Sequence, residues 1–337
     1  MKIGVCGYYG MGNFGDELFL LTFRQQLAGH QVVAWHPSFD PEGVDAVLIG
    51  GGDLITPYSF NSYYFPAKLQ AKPAWVYGVG IVDAYPESTW PDSEVEKYRR
   101  FLRGTQGLYL RDERSAAIAR RIGLHSRIDT VPDPVFAYRS PGLPLHRPSR
   151  LPTIGVCVHA YPDLPAARLA SILGKVSSEG YHILLIPVVN HSVNPYTDYK
   201  VCKDLTEHLL AGAPQASVAI FKPEYELELV YSVIQSCDYL ISFKLHPALA
   251  ALRGLVPTFC VSKQGKVSSL LSRFGLQDFL QTDEKKEDAL EEGLRRLLRE
   301  GKERFAAAEP LIRQTEREAE TALVELRREM EVELEKN

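Results

Sequence analysis

Short runs of apolar residues alternate along the chain with longer segments whose apolar residues recur at helical spacing. The short runs predict buried strands of parallel sheets at Lys2 to Gly7, Gln31 to Trp35, Asp45 to Ile49, Ala74 to Tyr77, Thr153 to His159, His182 to Val188, Val218 to Phe221, Tyr239 to Phe243 and Thr258 to Val261. The longer segments predict helices at Asp16 to Leu27, Glu94 to Leu102, Glu113 to Ile122, Ala166 to Ser178, Tyr199 to Leu210, Glu226 to Ser236 and Val267 to Phe274. Alternating strands and helices of this kind indicate a doubly wound α/β protein.

A proline-rich stretch from Ser140 to Pro152 divides this pattern into two halves. We therefore predict two Rossmann-like doubly wound domains that face one another across a cleft, at residues 1–140 and 153–300. This arrangement resembles the GT-B architecture of many glycosyltransferases. Residues 301–337 are predicted to form a charged amphipathic helix. Its narrow apolar stripe favours packing within the same chain over a coiled-coil dimer contact, because it covers barely two heptads.

Composition narrows the class of protein. The chain has 337 residues, a net charge of −4, 45% apolar and 24% charged residues, which is typical of a globular protein without a basic footprint for nucleic acid. No apolar run is long enough to span a bilayer, and the first residues enter a strand rather than a signal peptide. The five cysteines lie mostly in apolar runs without paired spacing, so we predict reduced core thiols of a cytoplasmic protein.

Glycine-rich turns follow three of the predicted strands, at Gly10 to Gly15, Gly50 to Gly52 and Gly78 to Gly80. Such turns at the carboxyl edge of a parallel sheet let the backbone approach a ligand closely. The first turn matches G-x-G-x-x-G, but the second strand ends without the acidic residue that a nicotinamide dinucleotide site needs for the ribose. We therefore do not favour a dinucleotide site. Asn13 and Asp16 offer polar side chains in this turn instead.

The turn after Tyr239 to Phe243 is the second candidate site. Lys244 and His246 lie between the end of a predicted strand and a helix whose first turn contains Pro247. A helix N-terminus favours a bound anion, and histidine can transfer a proton near neutral pH. The alternative is a capping loop with a solvated lysine.

Several motifs together resemble the polysaccharide pyruvyl transferase family. The opening Gly10-Met11-Gly12-Asn13-Phe14-Gly15-Asp16-Glu17 is similar to the family's G-x-G-N-x-G-D-E, and Ser242-Phe243-Lys244-Leu245-His246 is similar to its S-x-R-x-H. The likeness also includes Gly50-Gly51-Gly52, Gly78-Val79-Gly80-Ile81, the segment Leu110 to Ser115, Asp133-Pro134 and Lys266. It extends from about Lys2 to Phe279.

The resemblance implies transfer of a pyruvyl group from phosphoenolpyruvate to two hydroxyls of a sugar, which forms a cyclic ketal. The acceptor would be a cell-surface polysaccharide or its lipid-linked precursor. By the same resemblance, Arg111, Lys244 and Lys266 would bind the anionic donor and His246 would transfer protons. Asn13 and Asp16 would orient the acceptor, with Asp16 a second base, beside the glycines of Gly12, Gly51 and Gly52. No metal or cofactor is expected besides phosphoenolpyruvate as co-substrate.

Two departures from the family keep alternatives open. Lys244 stands where the family has arginine, and Val82-Asp83 stands where it tends to have glycine and proline. A GT-B glycosyltransferase that uses a nucleotide-sugar is one alternative, with Glu224 or Glu226 as its ribose ligand. A non-catalytic glycan-binding relative is another. Peripheral contact with a membrane surface through the acceptor and homo-oligomerisation are compatible with the sequence; nucleic-acid binding is not expected.

Overall fold

A computed structural model describes residues 1–34, 40–82, 84–143, 145, 149–159, 166–190, 197–222, 226–282 and 287–336, with residues 287 and 288 described by their backbone alone. The chain forms two compact units. The first unit contains Met1–Gly10, Asp16–Arg139 and Gln314–Asn337, and the second contains Met11–Gly15 and Ser140–Arg313. These limits differ from the predicted ones in two places, because residues 11–15 group with the second unit and the C-terminal helix contributes to both.

The first unit is built on a parallel sheet of six strands. The strands are β1 (Lys2–Cys6), β2 (Gln31–Ala34), β3 (Ala46–Gly50), β4 (Ala74–Val79), β5 (Leu108–Leu110) and β6 (Ile128–Thr130), in the order β2-β1-β3-β4-β5-β6. The helices are α1 (Phe14–Gln26), whose first two residues belong to the second unit, α2 (Asp92–Leu102) and α3 (Glu113–Arg121). Every residue of β3 and β4 is buried, as expected for central strands with helices on both faces.

The second unit is also built on a parallel sheet of six strands. Its strands are β7 (Thr153–Cys157), β8 (His182–Leu185), β9 (Val218–Ile220), β10 (Tyr239–Ser242), β11 (Thr258–Val261) and β12 (Leu280–Gln281), in the order β12-β11-β10-β7-β8-β9. Its helices are α4 (Ala166–Ser178), α5 (Asp198–Gly212), α6 (Leu227–Ser236), α7 (Leu245–Arg253) and α8 (Gly265–Arg273). In both sheets the strand order reverses once, between β1 and β3 and between β7 and β10. This reversal defines a doubly wound fold.

The C-terminal helix α9 (Glu287–Glu335) contains most of the segment 301–337 and extends back to Glu287, in line with the charged sequence that begins near Asp283 and predicts a helical tail. In the first unit, four residues of the predicted stripe are buried, namely Ala319, Leu323, Leu326 and Met330, and the fifth, Leu334, is half-buried. Glu329 accepts hydrogen bonds from Trp75 Nε1 at 2.9 Å and Tyr109 Oη at 2.6 Å, and from both terminal nitrogens of Arg127 at 2.8 Å. The stripe therefore packs within its own chain.

Two further observations bear on the sequence-based expectations. All five cysteines are buried and none forms a disulfide. Among the helices that the structure describes, none has the length and apolar character needed to cross a membrane.

Candidate active site

The strand order of the second unit defines where a ligand would bind. β7 and β10 are neighbours at the point where the order reverses. Because crossovers between parallel strands are right-handed, the chain leaves these two strands toward opposite faces of the sheet. In open α/β sheets, ligands bind beyond the carboxyl ends of the strands at this point. His159 lies just beyond the end of β7, and Lys244 and His246 lie just beyond the end of β10.

A cavity of about 170 Å³ lies at this position. It is lined by Asn13, Phe14, Gly15, His159, Val188, Phe243, Lys244, Leu245, His246, Pro247, Gln264 and Lys266, all of which belong to the second unit. Pockets for drug-sized ligands are typically about 300–1,000 Å³. The cavity therefore suits a small metabolite, or one group of a larger ligand.

Three helices begin at this cavity. Phe14 and Gly15 form the start of α1, Leu245 and His246 the start of α7, and Lys266 is the second residue of α8. The first amide groups of a helix lack carbonyl partners within the helix and carry partial positive charge. The two lysines and the partial positive charge of the three helix N-termini make the electrostatic environment of the cavity favourable for an anion.

The glycine loop, Met11–Gly15, is attached to the second unit by main-chain hydrogen bonds. Phe14 N donates to Val188 O at 2.9 Å, Asn190 N donates to Gly12 O at 3.0 Å, and Asn13 forms an antiparallel bridge with Val189. Within the loop, Asn13 Oδ1 accepts from Gly15 N at 3.1 Å. Residues 11–15 of the first sequence motif thus belong to the same unit as the last motif, although more than two hundred residues separate them.

Gly15 and His246 are in closest contact at the start of α1. A Cβ atom added to Gly15 would overlap the imidazole ring, at 2.7 Å from Cγ and nearer still to Nδ1. Ordinary contacts begin near 3.4 Å. Glycine is therefore the only residue that leaves His246 its present position.

Lys244 forms an ion pair that the sequence did not predict. Its Nζ lies 2.8 Å and 3.0 Å from the two carboxylate oxygens of Asp198, the first residue of α5. Asp198 is fully buried, whereas 18% of the lysine side chain is exposed. The ammonium has three N–H donors, so this pairing limits what Lys244 can offer a ligand. Lys266 supplies the other positive charge of the cavity.

His159 is a second histidine of the cavity that sequence reasoning missed. Burial lowers its pKa, and the positive charges of Lys244 and Lys266 lower it further, while Asp198 opposes them. His159 is therefore neutral at pH 7. The available signal was its position, since it is a polar residue directly after the first strand of the second half.

Arg111, in the first unit, is buried among carboxylates. Its Nη2 is hydrogen-bonded to Asp53 Oδ1, and its Nε and Nη1 lie 3.9 Å from carboxylate oxygens of Asp112 and Asp133. Burial acts to lower the pKa of Arg111, but these three carboxylates and that of Asp16 together raise it. Asp112 and Asp133 also cap the helical turns that follow them, through Ser115 N and Val135 N. Arg111 thus joins three loops at the edge of the sheet.

The other predicted residues of the first unit lie at the same edge. A Cβ atom at Gly52 would come within 2.9 Å of Asp16 Oδ1, and Gly51 and Gly52 have φ angles of +83° and +79°, which favour glycine. Burial raises the pKa of Tyr8, and the carboxylate of Asp16 raises it further. Asp16 therefore lies beside Gly52 and close enough to Tyr8 to raise the pKa of its hydroxyl.

The structure thus divides the predicted site residues into two groups. Asn13, Lys244, His246 and Lys266 line one cavity in the second unit, and Gly12 lies on the same glycine loop. Asp16, Gly51, Gly52 and Arg111 belong to the first unit. Asp198 and His159, which the sequence did not predict, belong with the group in the second unit. Of the predicted ribose ligands, Glu226 precedes α6 as its N-cap residue, and Glu224 lies outside the described residues.

Two solved structures illustrate the architecture of this chain. A UDP-GlcNAc 2-epimerase from Neisseria meningitidis bound to UDP-GlcNAc aligns with a TM-score of 0.61 at 12% identity, over 96% of this chain and 99% of that chain. A sucrose-phosphate synthase from Thermosynechococcus elongatus aligns with a TM-score of 0.66 at 9% identity, over 98% and 99%. At these identities the likeness establishes the fold alone. The predicted fold class, two Rossmann-like units of GT-B type, is confirmed.

A sequence profile of the polysaccharide pyruvyl transferase family matches residues 13–264. Since the match covers most of the chain, the protein belongs to that family, and the predicted resemblance is confirmed. It is therefore a transferase with a role in polysaccharide pyruvylation. No curated protein sequence matches the chain.

Proposed function

We propose that this protein transfers the pyruvyl group of phosphoenolpyruvate to two hydroxyls of one sugar residue, with release of phosphate. The acceptor would be a cell-surface polysaccharide or its lipid-linked precursor. The observation that carries this proposal is the cavity in the second unit. It combines three helix N-termini, Lys244 and Lys266 with His246, and its size suits a small anion.

The charges of the cavity support an anionic donor. Because Asp198 offsets the charge of Lys244, we assign Lys266 and the helix N-termini as the main ligands of the donor's phosphate. Lys244 contributes its remaining donor. The predicted direct contact between Arg111 and the donor receives less support, since three carboxylates already surround that side chain. We assign Arg111 to holding the loops that carry Asp53 and Asp133.

The reaction needs two proton movements. The methylene carbon of phosphoenolpyruvate gains one proton and becomes a methyl group, and C2 then forms bonds to two sugar oxygens. Each hydroxyl loses a proton, and one of these two protons balances the one that the methylene carbon gains. The bond between C2 and the bridging oxygen breaks, and phosphate leaves with that oxygen and the second proton. His246 is assigned as the acid and base because an imidazole can both donate and accept a proton and its ring lines the cavity.

Asn13 and Asp16 are assigned to the acceptor. Asn13 lies on the glycine loop, and Asp16 follows it three residues later in the sequence. Carboxylate and amide groups can orient sugar hydroxyls, and Asp16 would take the second proton. A lipid-linked acceptor would bring the protein to the cytoplasmic face of a membrane. No cofactor is assigned besides the co-substrate phosphoenolpyruvate.

Ligand-induced stabilisation tests the donor. At one hundred times its dissociation constant, a ligand specific for the native state raises the free energy of unfolding by about 2.7 kcal/mol. We expect phosphoenolpyruvate to do so, and UDP-sugars at the same concentration to have no effect. Lys266→Met should abolish the shift, whereas Lys203→Met, which removes an exposed lysine of α5, should preserve it. Stabilisation by UDP-sugars alone would instead favour a nucleotide-sugar glycosyltransferase, and no response to either would favour a non-catalytic glycan-binding protein.

A further inference from the structure

Asp198 lies outside all the sequence motifs, yet its side chain is at the centre of a hydrogen-bond network. It is fully buried, and it accepts hydrogen bonds from three donors, namely the backbone N–H groups of Val188 (3.2 Å) and Val189 (2.8 Å) and the ammonium of Lys244 (2.8 Å and 3.0 Å). A buried carboxylate is stable only when it is paired and hydrogen-bonded in this way. Lys244 therefore supplies the charge that the buried Asp198 requires.

The backbone that Asp198 holds also holds the glycine loop. Val188 O accepts from Phe14 N at 2.9 Å, and Asn13 pairs with Val189 in an antiparallel bridge. The carboxylate of Asp198 thus binds the N–H groups of Val188 and Val189, while the glycine loop binds the carbonyl of Val188 and the N–H of Asn190. A continuous series of hydrogen bonds runs from Lys244, through Asp198, to the loop that carries Asn13.

We propose that Asp198 is a positioning residue that fixes the glycine loop relative to Lys244 and, in doing so, weakens the attraction of the cavity for an anion. Its negative charge lies within 3.0 Å of the lysine ammonium, where it competes with any anionic ligand for the same donors. The part that concerns the donor rests on the proposed function; the part that concerns the loop does not.

Amide hydrogen exchange without ligand tests the positioning role. Asp198→Asn keeps the shape of the side chain but removes its charge, so we expect exchange at Phe14 and Asn190 to become at least about tenfold faster while β10 and β11 keep their protection. Asp204→Asn, which removes the same charge from an exposed position of α5, should leave exchange unchanged. Unchanged exchange in Asp198→Asn, or loss of protection throughout the second unit, would overturn the proposal. If that variant does not fold, Asp198→Asn/Lys244→Met, which lacks both charges, is measured in the same way.

Titration with phosphoenolpyruvate tests the effect on affinity. Asp198→Asn should bind it at least about threefold more tightly, because the charge of Lys244 is no longer offset. Lys244→Met should bind it more weakly, and the double variant should match Lys244→Met, since Asp198 acts through that lysine. A residue with only a structural role would weaken binding when it is changed, and that result would overturn the proposal. If the wild-type protein does not bind phosphoenolpyruvate at all, the proposed function fails, and the exchange experiment still decides the role of Asp198.

Discussion

Replacing Gly15 with alanine tests whether the position of His246 matters. A Cβ atom would lie 2.7 Å from Cγ of the imidazole, whereas ordinary contacts begin near 3.4 Å, so the ring must move by at least 0.7 Å (3.4 − 2.7). The overlap with Nδ1 requires a larger movement. A displacement of about 1 Å at a catalytic group can reduce the rate about 10²-fold. We therefore expect turnover to fall about 10- to 100-fold.

The stability of this variant should change much less than its activity. Overpacking a buried position costs about 1–3 kcal/mol. Alanine in a helix recovers about 0.5–1 kcal/mol relative to glycine. The net loss in the free energy of unfolding is then at most about 2.5 kcal/mol, which leaves a typical domain folded.

The assay is phosphate release from phosphoenolpyruvate, measured beside denaturant unfolding of the same preparations. Gly212→Ala is the matched control, because it also changes a glycine at a helix end, but nothing lies within 4 Å of its added Cβ. The control should keep full turnover. If Gly15→Ala also keeps full turnover while it remains folded, the contact between the glycine loop and His246 has no part in catalysis.

Three further predictions follow from individual contacts. Lys244→Arg should change the affinity for phosphoenolpyruvate less than about threefold, because the two-pronged guanidinium would engage both oxygens of Asp198; a tenfold gain by calorimetry would contradict that geometry. The pKa of His159 is lowered in the folded protein, so the unfolded chain binds a proton at a higher pH than the folded chain does. The free energy of unfolding should therefore fall as pH decreases below about 6.5. Urea titrations should show a smaller fall in His159→Gln, and an identical fall would refute the assignment. Burial acts to raise the pKa of Glu329, but its hydrogen bonds outweigh burial and lower it, so its stabilisation should be present above about pH 4.3 and be lost in more acidic solution. At pH 7, Glu329→Gln should lower the unfolding free energy by about 1–3 kcal/mol, while the exposed control Glu325→Gln should not; equal effects in the two variants would contradict a specific role for Glu329.

The fold was predictable because most elements have strong patterns. The helix Ala166–Ser178 and the strand Thr258–Val261 have the predicted limits, since amphipathic periodicity and a bounded apolar run define them. The strands β5, β6 and β12 were not predicted. They are only two or three residues long, and their pairing with a neighbouring strand, rather than their own pattern, makes them strands.

The candidate site was predictable only in part. His246, Lys244 and Asn13 occur in motifs at the ends of strands, where parallel sheets bring side chains together. Asp198 belongs to no motif, and its role depends on its contact with Lys244, which lies 46 positions away in the sequence. The surroundings of Arg111 depend in the same way on carboxylates from separate loops. Such pairings arise from tertiary packing, and local patterns in a single sequence do not indicate them.

The fate of the bridging oxygen of phosphoenolpyruvate tests the proposed function most directly. With ¹⁸O at that position, ketal formation must break the bond between carbon and oxygen, so the released phosphate should carry the label. The acceptor, taken from a panel of glycosides and lipid-linked oligosaccharides, should gain the mass of pyruvic acid less one water. Phosphate release should depend on this acceptor and should fall about 10²- to 10⁴-fold in His246→Ala. Label that remains in free pyruvate, or phosphate release that needs no acceptor, would contradict pyruvyl transfer by this protein.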